Sequence, residues 1–259
     1  MIGKLTFLGS GTSQGVPVIA CECPTCQSSD VKDQRLRSSV LLTLPELQMA
    51  IDAGPDFRQQ MLRAKVKQLD AILLTHEHKD HIAGLDDVRA FNYQRQADFP
   101  IYCTPKVELA LRREFYYAFE ADPYPGVPRF QIMALEKGKF QIGKLEIEAI
   151  EVWHQRMQVL GFRIGKLAYI TDAKTILPEE KNKLKDLDIL IINALHEYTH
   201  PSHFNLEEAL ALIEELKPKQ SYLTHISHLF GKHEAVKQKL PKGVALAYDG
   251  LELSFNYSV

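Results

Sequence analysis

Two short stretches concentrate the residue types that bind metals. In "AILLTHEHKDHIAG" an apolar run ends at Thr75, and His76, His78, Asp80 and His81 follow at once. If the chain stays extended, alternation puts His76, His78 and Asp80 on one side, and His81 begins a turn into a helix. Imidazole nitrogens and a carboxylate oxygen together suit Zn²⁺, Mn²⁺ or Fe²⁺. The other stretch, "CECPTC", places Cys21, Cys23 and Cys26 within six residues of a chain that has four cysteines. Three thiolates leave a tetrahedral zinc site one ligand short. In a reducing compartment such spacing points to a metal before it points to disulfides. The fourth cysteine, Cys103 in "FPIYCT", sits in an apolar strand-like run and reads as a buried structural thiol.

The same side-chain types recur where other apolar strands should end. "IDAG" presents Asp52, "EVWH" presents His154, "AYITDAK" presents Asp172, and "YLTHISH" presents His225 and His228. Taken singly, Asp52 could be a turn former before glycine, and His154 a packed core histidine. Together, five strand ends carrying His or Asp predict one composite metal site. The segment "HEYTH", His196 to His200, matches the H-E-x-x-H pattern of a helical zinc protease. Its context does not fit, because "DILIINAL" before it reads as a strand and Pro201 follows where a helix would have to continue.

The elements that position these residues alternate between the two periods. Runs such as "KLTFLG", "SVLLTL", "LQMAID", "LEIEAIEVW", "VLGFRIG" and "VALAYDGLELSF" predict strands. "DFRQQMLRAKV", "IAGLDDVRAFNYQ", "KVELALRREFYYAF", "NLEEALALIEELK" and "KHEAVKQKL" predict helices, and Asn205 with Glu208 predicts a capping box at the start of the fourth. Hairpin-like pairs open each half and strand–helix alternation follows, so the chain reads as α/β, two sheets with helices outside. With no repeat and no proline- or glycine-rich linker, residues 1–259 read as a single domain.

Composition sets the partner classes. At 259 residues, 45% hydrophobic and 25% charged, the chain resembles an ordinary soluble globular protein. A formal charge of -2, with the basic residues spread out, argues against a nucleic-acid surface. No apolar run spans a bilayer and the start lacks the pattern of a secretory signal, so a cytoplasmic location and no membrane partner are expected.

On the run His76-x-His78-x-Asp80-His81 with the later His154, Asp172 and His225, the chain resembles the metallo-β-lactamase-fold hydrolases over essentially its whole length. The resemblance implies a four-layer αβ/βα sandwich with two divalent catalytic ions, zinc or manganese, along one edge. It implies that His76, His78 and His154 bind the first ion, that Asp80, His81 and His225 bind the second, and that Asp172 bridges them. Asp52 is implied to orient a ligand histidine. On "LGSGTSQGVPVIACECPTC" and "LTHISH" the chain is similar, within that superfamily, to PhnP-type phosphoribosyl cyclic phosphodiesterases. That similarity implies that His228 completes a structural zinc with Cys21, Cys23 and Cys26, stapling a loop at about 10–30 over the catalytic edge. The competing reading, a stand-alone nucleic-acid zinc knuckle, needs a second ligand pair and a basic surface.

The expected activity is metal-dependent hydrolysis of a small phosphodiester, cyclic ribosyl or nucleotide in type, through a metal-bridging hydroxide. Two divalent ions outweigh Asp80, Asp172 and a hydroxide by one positive charge, which suits a phosphodiester monoanion. A leaving alkoxide needs a proton, and His203 in "SHFNLEEAL" is the candidate acid, with Asp80 the other residue assigned to the catalytic step. His200 is the next candidate acid, and His233 reads as surface. Gly9, Gly11 and Gly15 read as a tight turn. Two alternatives share the fold: an RNA-processing nuclease of the tRNase Z type, suggested by "HEYT", and a thioester or lactone hydrolase. A metal-holding interaction protein without catalysis is the non-enzyme alternative. A homodimer is compatible with the sequence.

Overall fold

Alternating apolar positions resolve into two seven-stranded sheets in a computed structural model that describes residues 1–258; Val259, the last residue of the span read as one domain, lies outside the described residues. In chain order the strands are β1 (Ile2–Gly9), β2 (Ser39–Leu44), β3 (Leu47–Ile51), β4 (Ala71–Leu73), β5 (Phe99–Cys103), β6 (Phe130–Ala134) and β7 (Gly138–Ile142). They continue as β8 (Leu145–His154), β9 (Met157–Ile164), β10 (Leu167–Tyr169), β11 (Ile189–Asn193), β12 (Gln220–Thr224), β13 (Val244–Leu246) and β14 (Glu252–Asn256). One sheet has the order β14-β1-β2-β3-β4-β5-β6 and the other β13-β12-β11-β10-β9-β8-β7. The helices are α1 (Phe57–Arg63), α2 (Lys79–Ile82), α3 (Arg89–Arg95), α4 (Pro105–Glu114), α5 (Pro178–Asn182), α6 (Leu206–Leu216) and α7 (His233–Lys237).

Period-two alternation explains the layers. Along β3 and β4, Met49, Ile51, Ala71 and Leu73 enter the cluster between the sheets with Leu5, Phe7, Ile147, Phe162 and Tyr169. Ala50 and Ile72, pointing the other way, pack outward with Phe57 of α1, Phe91 of α3 and Leu111 of α4. Ala209 and Leu212 of α6 cover the far face of the second sheet, against Leu190 and Ile192. The result is the expected helix–sheet–sheet–helix sandwich. Strands covered on both faces read as continuous apolar runs, as in "AILL".

Strand direction places the site. β3, β4, β5 and β6 run parallel, as do β10, β11, β12 and β13. β8 and β10 both pair antiparallel with β9 and so share a direction. Asp52, His154, Asp172 and His225 lie at or just beyond the carboxyl ends of β3, β8, β10 and β12, where open α/β sheets bind ligands.

Several local expectations need correction. The apolar run before His76 leaves the sheet at Leu73, and Asp80 projects from the first turn of α2, not from an extended chain. "IAGLDDVRAFNYQ" is not one helix: α2 ends before Gly84, a 3-10 turn spans Leu85–Val88, and α3 follows. Close approach of the backbone requires glycine at this break, since a Cβ on Gly84 would lie 2.1 Å from the Gly54 carbonyl oxygen. "VALAYDGLELSF" is two strands in different sheets, parted at Gly250, whose φ is +90°. β6 and β7, not anticipated, are edge strands with half-exposed residues and a weak apolar signal. No helix among the described residues is long and apolar enough to cross a membrane.

Candidate metal centre and active site

Three imidazoles at this edge have one nitrogen held by the fold. His76 Nδ1 lies 2.9 Å from Thr75 Oγ1, His81 Nδ1 lies 2.7 Å from Asp52 Oδ2, and His154 Nδ1 lies 3.1 Å from the Asp172 carbonyl oxygen. Because an anchored Nδ1 directs Nε2 the opposite way, the other nitrogens converge. His76 Nε2, His81 Nε2 and His225 Nε2 are buried without a hydrogen-bond partner. Buried nitrogens are normally satisfied, and two of these orphans, on His76 and His81, belong to rings whose ligand atoms gather within 4.8 Å of one another and of Asp172, which fits a cation and not a packed core.

The ligand candidates gather in two groups joined by one carboxylate. The rings of His76 and His78 are 4.7 Å apart and those of His78 and His154 5.2 Å. On the other side His81 Nε2 lies 3.1 Å from Asp80 Oδ2, and the His81 and His225 rings stack at 6.0 Å. Asp172 Oδ2 stands 3.3 Å from both His81 Nε2 and His225 Nδ1, while its Oδ1 meets His203 Nε2 at 3.1 Å. Ligand atoms of His76, His81 and Asp172 lie within 4.8 Å of one another, as do those of His154, Asp172 and His203. His203 therefore touches the cluster itself.

The electrostatics fit a cation. Burial would raise both Asp80 and Asp172, yet the rings of His81 and His225 outweigh it and hold both carboxyls below their usual range. Burial would lower His81, but Asp52, Asp172 and Asp80 around it drive it well above the ordinary histidine value. His76 and His225 go the other way: burial leaves both neutral, with His225 down to about 4. His76 and His225 are neutral donors beside ionised carboxylates, and the carboxylates that keep His81 protonated are the negative charge a divalent ion would compensate in place of that proton.

The backbone is strained where the ligands sit. Asp52, Asp172 and His225 have φ of 65°, 56° and 56°. Left-handed residues other than glycine cost on the order of 1 kcal/mol or more and persist where the surroundings over-determine them. Asp52 is fixed by the Thr75 amide at 2.8 Å and its hydroxyl at 2.9 Å. Asp172 is flanked by Ala173, whose amide and carbonyl are both bonded by the buried side chain of Asn193 at 2.8 and 2.9 Å. Sequence reading passed over Asn193 and Thr75; the available signal was a polar residue at the end of an apolar strand. Gly54 is required by close approach, since a Cβ there would lie 1.9 Å from the Asp80 carbonyl oxygen.

The cysteine loop forms a separate cluster. Cys21, Cys23 and Cys26 Sγ lie 3.3, 3.4 and 3.5 Å from His228 Nδ1. Tetrahedral zinc with bonds of about 2.0–2.3 Å sets such ligand atoms roughly 3.5 Å apart, so four donors with no open position fit it. Burial opposes ionisation, but the Cys26 amide, His228 and the other thiols bring the Cys23 thiol down to about 6. Burial and the neighbouring thiols push Cys26 up to about 11, because three thiolates gather only around a cation. The loop is tied to the metal edge through Ile226, whose amide bonds the Ser10 carbonyl at 2.9 Å and whose carbonyl accepts from Thr12 at 3.1 Å.

Other sequence candidates fall as follows. His196 is buried, with Nδ1 accepting from the Tyr198 amide at 3.2 Å, and Glu197 pairs with Lys239 at 3.0 Å in irregular chain after β11, so "HEYTH" is no helical metal motif. His233 is not on the surface. It is 4% exposed, its ring 3.2 Å from buried Arg35, and its amide bonds Asp33 at 2.7 Å. Arg35 also bonds Ser10 Oγ, which explains a histidine being drawn inward. Gly9 is more than a turn residue: a Cβ there would lie 1.9 Å from the Arg37 carbonyl oxygen. Cys103 is fully buried, which pushes its thiol up to about 12.

Two sheets flanked by helices that meet at an edge lined with histidine and aspartate have the metallo-β-lactamase fold. The chain belongs to the β-lactamase superfamily, whose domain matches residues 48–226. It is similar over 100% of its length, and 99% of the other chain, to the crystal structure of a diphosphatase of the PhnP family, with 39% identity and a TM-score of 0.94. It is 40% identical over 252 residues to a protein of Porphyromonas gingivalis named octanoyltransferase, covering 96% of this chain but only 51% of that one. The zinc-bound PqqB of Methylobacterium extorquens shares the fold at 21% identity, with a TM-score of 0.78 over 96% of this chain and 99% of that one.

Proposed function

We propose that this protein is a metal-dependent phosphodiesterase acting on a small phosphodiester. The observation that carries the reading is Asp172, whose carboxylate touches His81, His225 and His203 at once. His76, His78 and His154 would hold one divalent ion and Asp80, His81 and His225 the other, with Asp172 between them; Cys21, Cys23, Cys26 and His228 would hold a structural zinc. Bound at the catalytic edge, two divalent cations would supply Lewis acidity and an activated water.

The protein's own residues do the rest. Asp52 accepts from His81 Nδ1, so that Nε2 is the nitrogen that would give up its proton and present its lone pair to a metal. Burial of His76, His81 and Asp172 excludes bulk water from the reacting centre and strengthens each charge interaction there. His203, with its side chain 12% exposed, stands between the His154 and His225 rings and hands the proton at Nε2 to the leaving oxygen. His203 Nε2 reaches the Asp172 carboxylate, whereas the hydrogen bonds of His200 among the described residues go to Ser202 and His203, which favours His203 as the acid. Similarity to a PhnP-family diphosphatase supports a second reading, cleavage of a diphosphate linkage, which the same charge arrangement would serve.

The test is turnover of bis(p-nitrophenyl) phosphate with Mn²⁺ beside a His76→Ala control, and of ADP-ribose as a diphosphate. Diester turnover abolished in the variant is expected. Turnover of ADP-ribose alone would move the assignment to the diphosphate. Failure of fully metallated protein on both would sink phosphoryl chemistry and leave the thioester or lactone hydrolases.

A further inference from the structure

His200 stands beside the proposed acid in an arrangement that constrains both rings. The Nδ1 atoms of His200 and His203 are 3.2 Å apart, and Ser202 Oγ lies 3.2 Å from the first and 3.1 Å from the second. The Ser202 amide also points at His200 Nδ1, at 3.4 Å. Two bare lone pairs would repel at such a distance, so a hydrogen lies between the rings or on the serine that bridges them. On its other edge His203 Nε2 faces a carboxylate that can only accept, so that nitrogen carries hydrogen.

Apart from the Asp172 carboxylate at Nε2, the described residues around His203 offer ring faces and not hydrogen bonds. Its faces meet the rings of His225, stacked at 4.9 Å and 17°, and His154, edge-on at 4.5 Å. Ring stacking limits tilt but leaves rotation within the ring plane free. In-plane orientation is set by hydrogen bonds at both ends of the ring, Asp172 at Nε2 and His200 with Ser202 at Nδ1. His200 itself packs against His196, with ring centres 5.9 Å apart, and His196 is buried. The segment 196–203 thus builds a support behind the acid.

From this we infer that His200 is a positioning residue for His203: with Ser202 it fixes the Nδ1 end of the imidazole and so holds Nε2–H at the Asp172 edge, where the leaving oxygen would form. The inference rests on the reading of His203 as the general acid. It gives the second histidine of "HEYTH" a task in proton delivery that is neither metal binding nor acid catalysis of its own.

A leaving-group comparison separates positioning from scaffolding. A p-nitrophenolate departs with little help from an acid, whereas an unactivated alkoxide depends on one. In His200→Ala the ratio of the rate on an alkyl diester to that on bis(p-nitrophenyl) phosphate should fall about 10- to 100-fold through kcat, a fraction of the full general-acid effect. KM and metal content should be unchanged. His200→Asn, whose Oδ1 can replace Nδ1 as acceptor, should recover most of the ratio. In the zinc-loaded protein, the imidazole nitrogen resonances of His203 should move in the alanine variant and return in the asparagine variant. An equal loss on both substrates, or no recovery with asparagine, would overturn the inference. If His203→Ala also leaves the ratio intact, the acid assignment itself fails; if His203→Ala lowers it and His200→Ala does not, only the role of His200 does.

Discussion

Replacing Asp52 probes whether an orienting carboxylate decides metal binding at a site it does not reach itself. Asp52 is fully buried and accepts from the Thr75 amide, the Thr75 hydroxyl and His81 Nδ1. Burial holds its carboxyl above the usual range, with His81 and Thr75 pulling against it. Asp52→Ala leaves three buried donors unpaired at about 1–3 kcal/mol each, so a loss of roughly 3–6 kcal/mol is expected after partial relaxation. Asp52→Asn is the sharper test. With its Oδ1 kept toward the Thr75 amide, the new NH₂ faces His81 Nδ1 and can only donate. His81 must then present its lone pair at Nδ1 and carry hydrogen at Nε2, the atom that points into the site. The folding cost should be only about 1–3 kcal/mol, but affinity for the second catalytic ion should fall roughly 10- to 100-fold. Urea unfolding of chelated protein reads the first quantity, and competition with a chromogenic chelator, with elemental analysis, reads the second. An asparagine variant that keeps wild-type affinity for every ion would refute the tautomer argument.

Two other outcomes follow from the buried His233 and the cysteine loop. Burial, with Arg35 and Lys32 nearby, brings His233 down from 6.5 to about 4, so the unfolded chain binds more protons between those values. Stability from this group is complete above pH 6.5 and lost as pH falls toward 4, by about 3 kcal/mol at most; His233→Asn should flatten that limb of a pH series of urea midpoints, and an unchanged slope would contradict it. Cys23→Ser should remove one zinc per chain and loosen the loop at 10–30, exposing the bond after Lys32 at its end to limited trypsin cleavage. A variant that lost the zinc and stayed as resistant as wild type would show that the metal does not hold the loop.

Particular residues show where sequence legibility ended. The run from His76 to His81 was readable because ligand-type side chains crowd the end of one apolar strand, and "CECPTC" because its thiols are adjacent in the chain. The two-sheet, helix-flanked architecture was readable because period-two and period-3.6 patterns are local. The need for glycine at the Gly84 break and the parting of β13 from β14 at Gly250 were not, because close approach to Gly54 and pairing with β1 decide them. His233 looked like surface because nothing near it in sequence reveals Arg35 behind it.

The sequence by itself determined the inventory: which groups can donate to a metal, and that they fall at strand ends. Tertiary structure alone decided their geometry. It anchors Nδ1 of His76, His81 and His154 so that the opposite nitrogens face the site, and it sets Asp172 between two groups of imidazoles. It also turns His200 and His203 toward each other. The contacts of Asp52 with His81, His154 with Asp172, and Asp172 with His81 and His225 join residues about 20 to 90 positions apart, and the energy of such a buried hydrogen bond or charge pair is fixed by neighbours that the local run of the chain does not reveal.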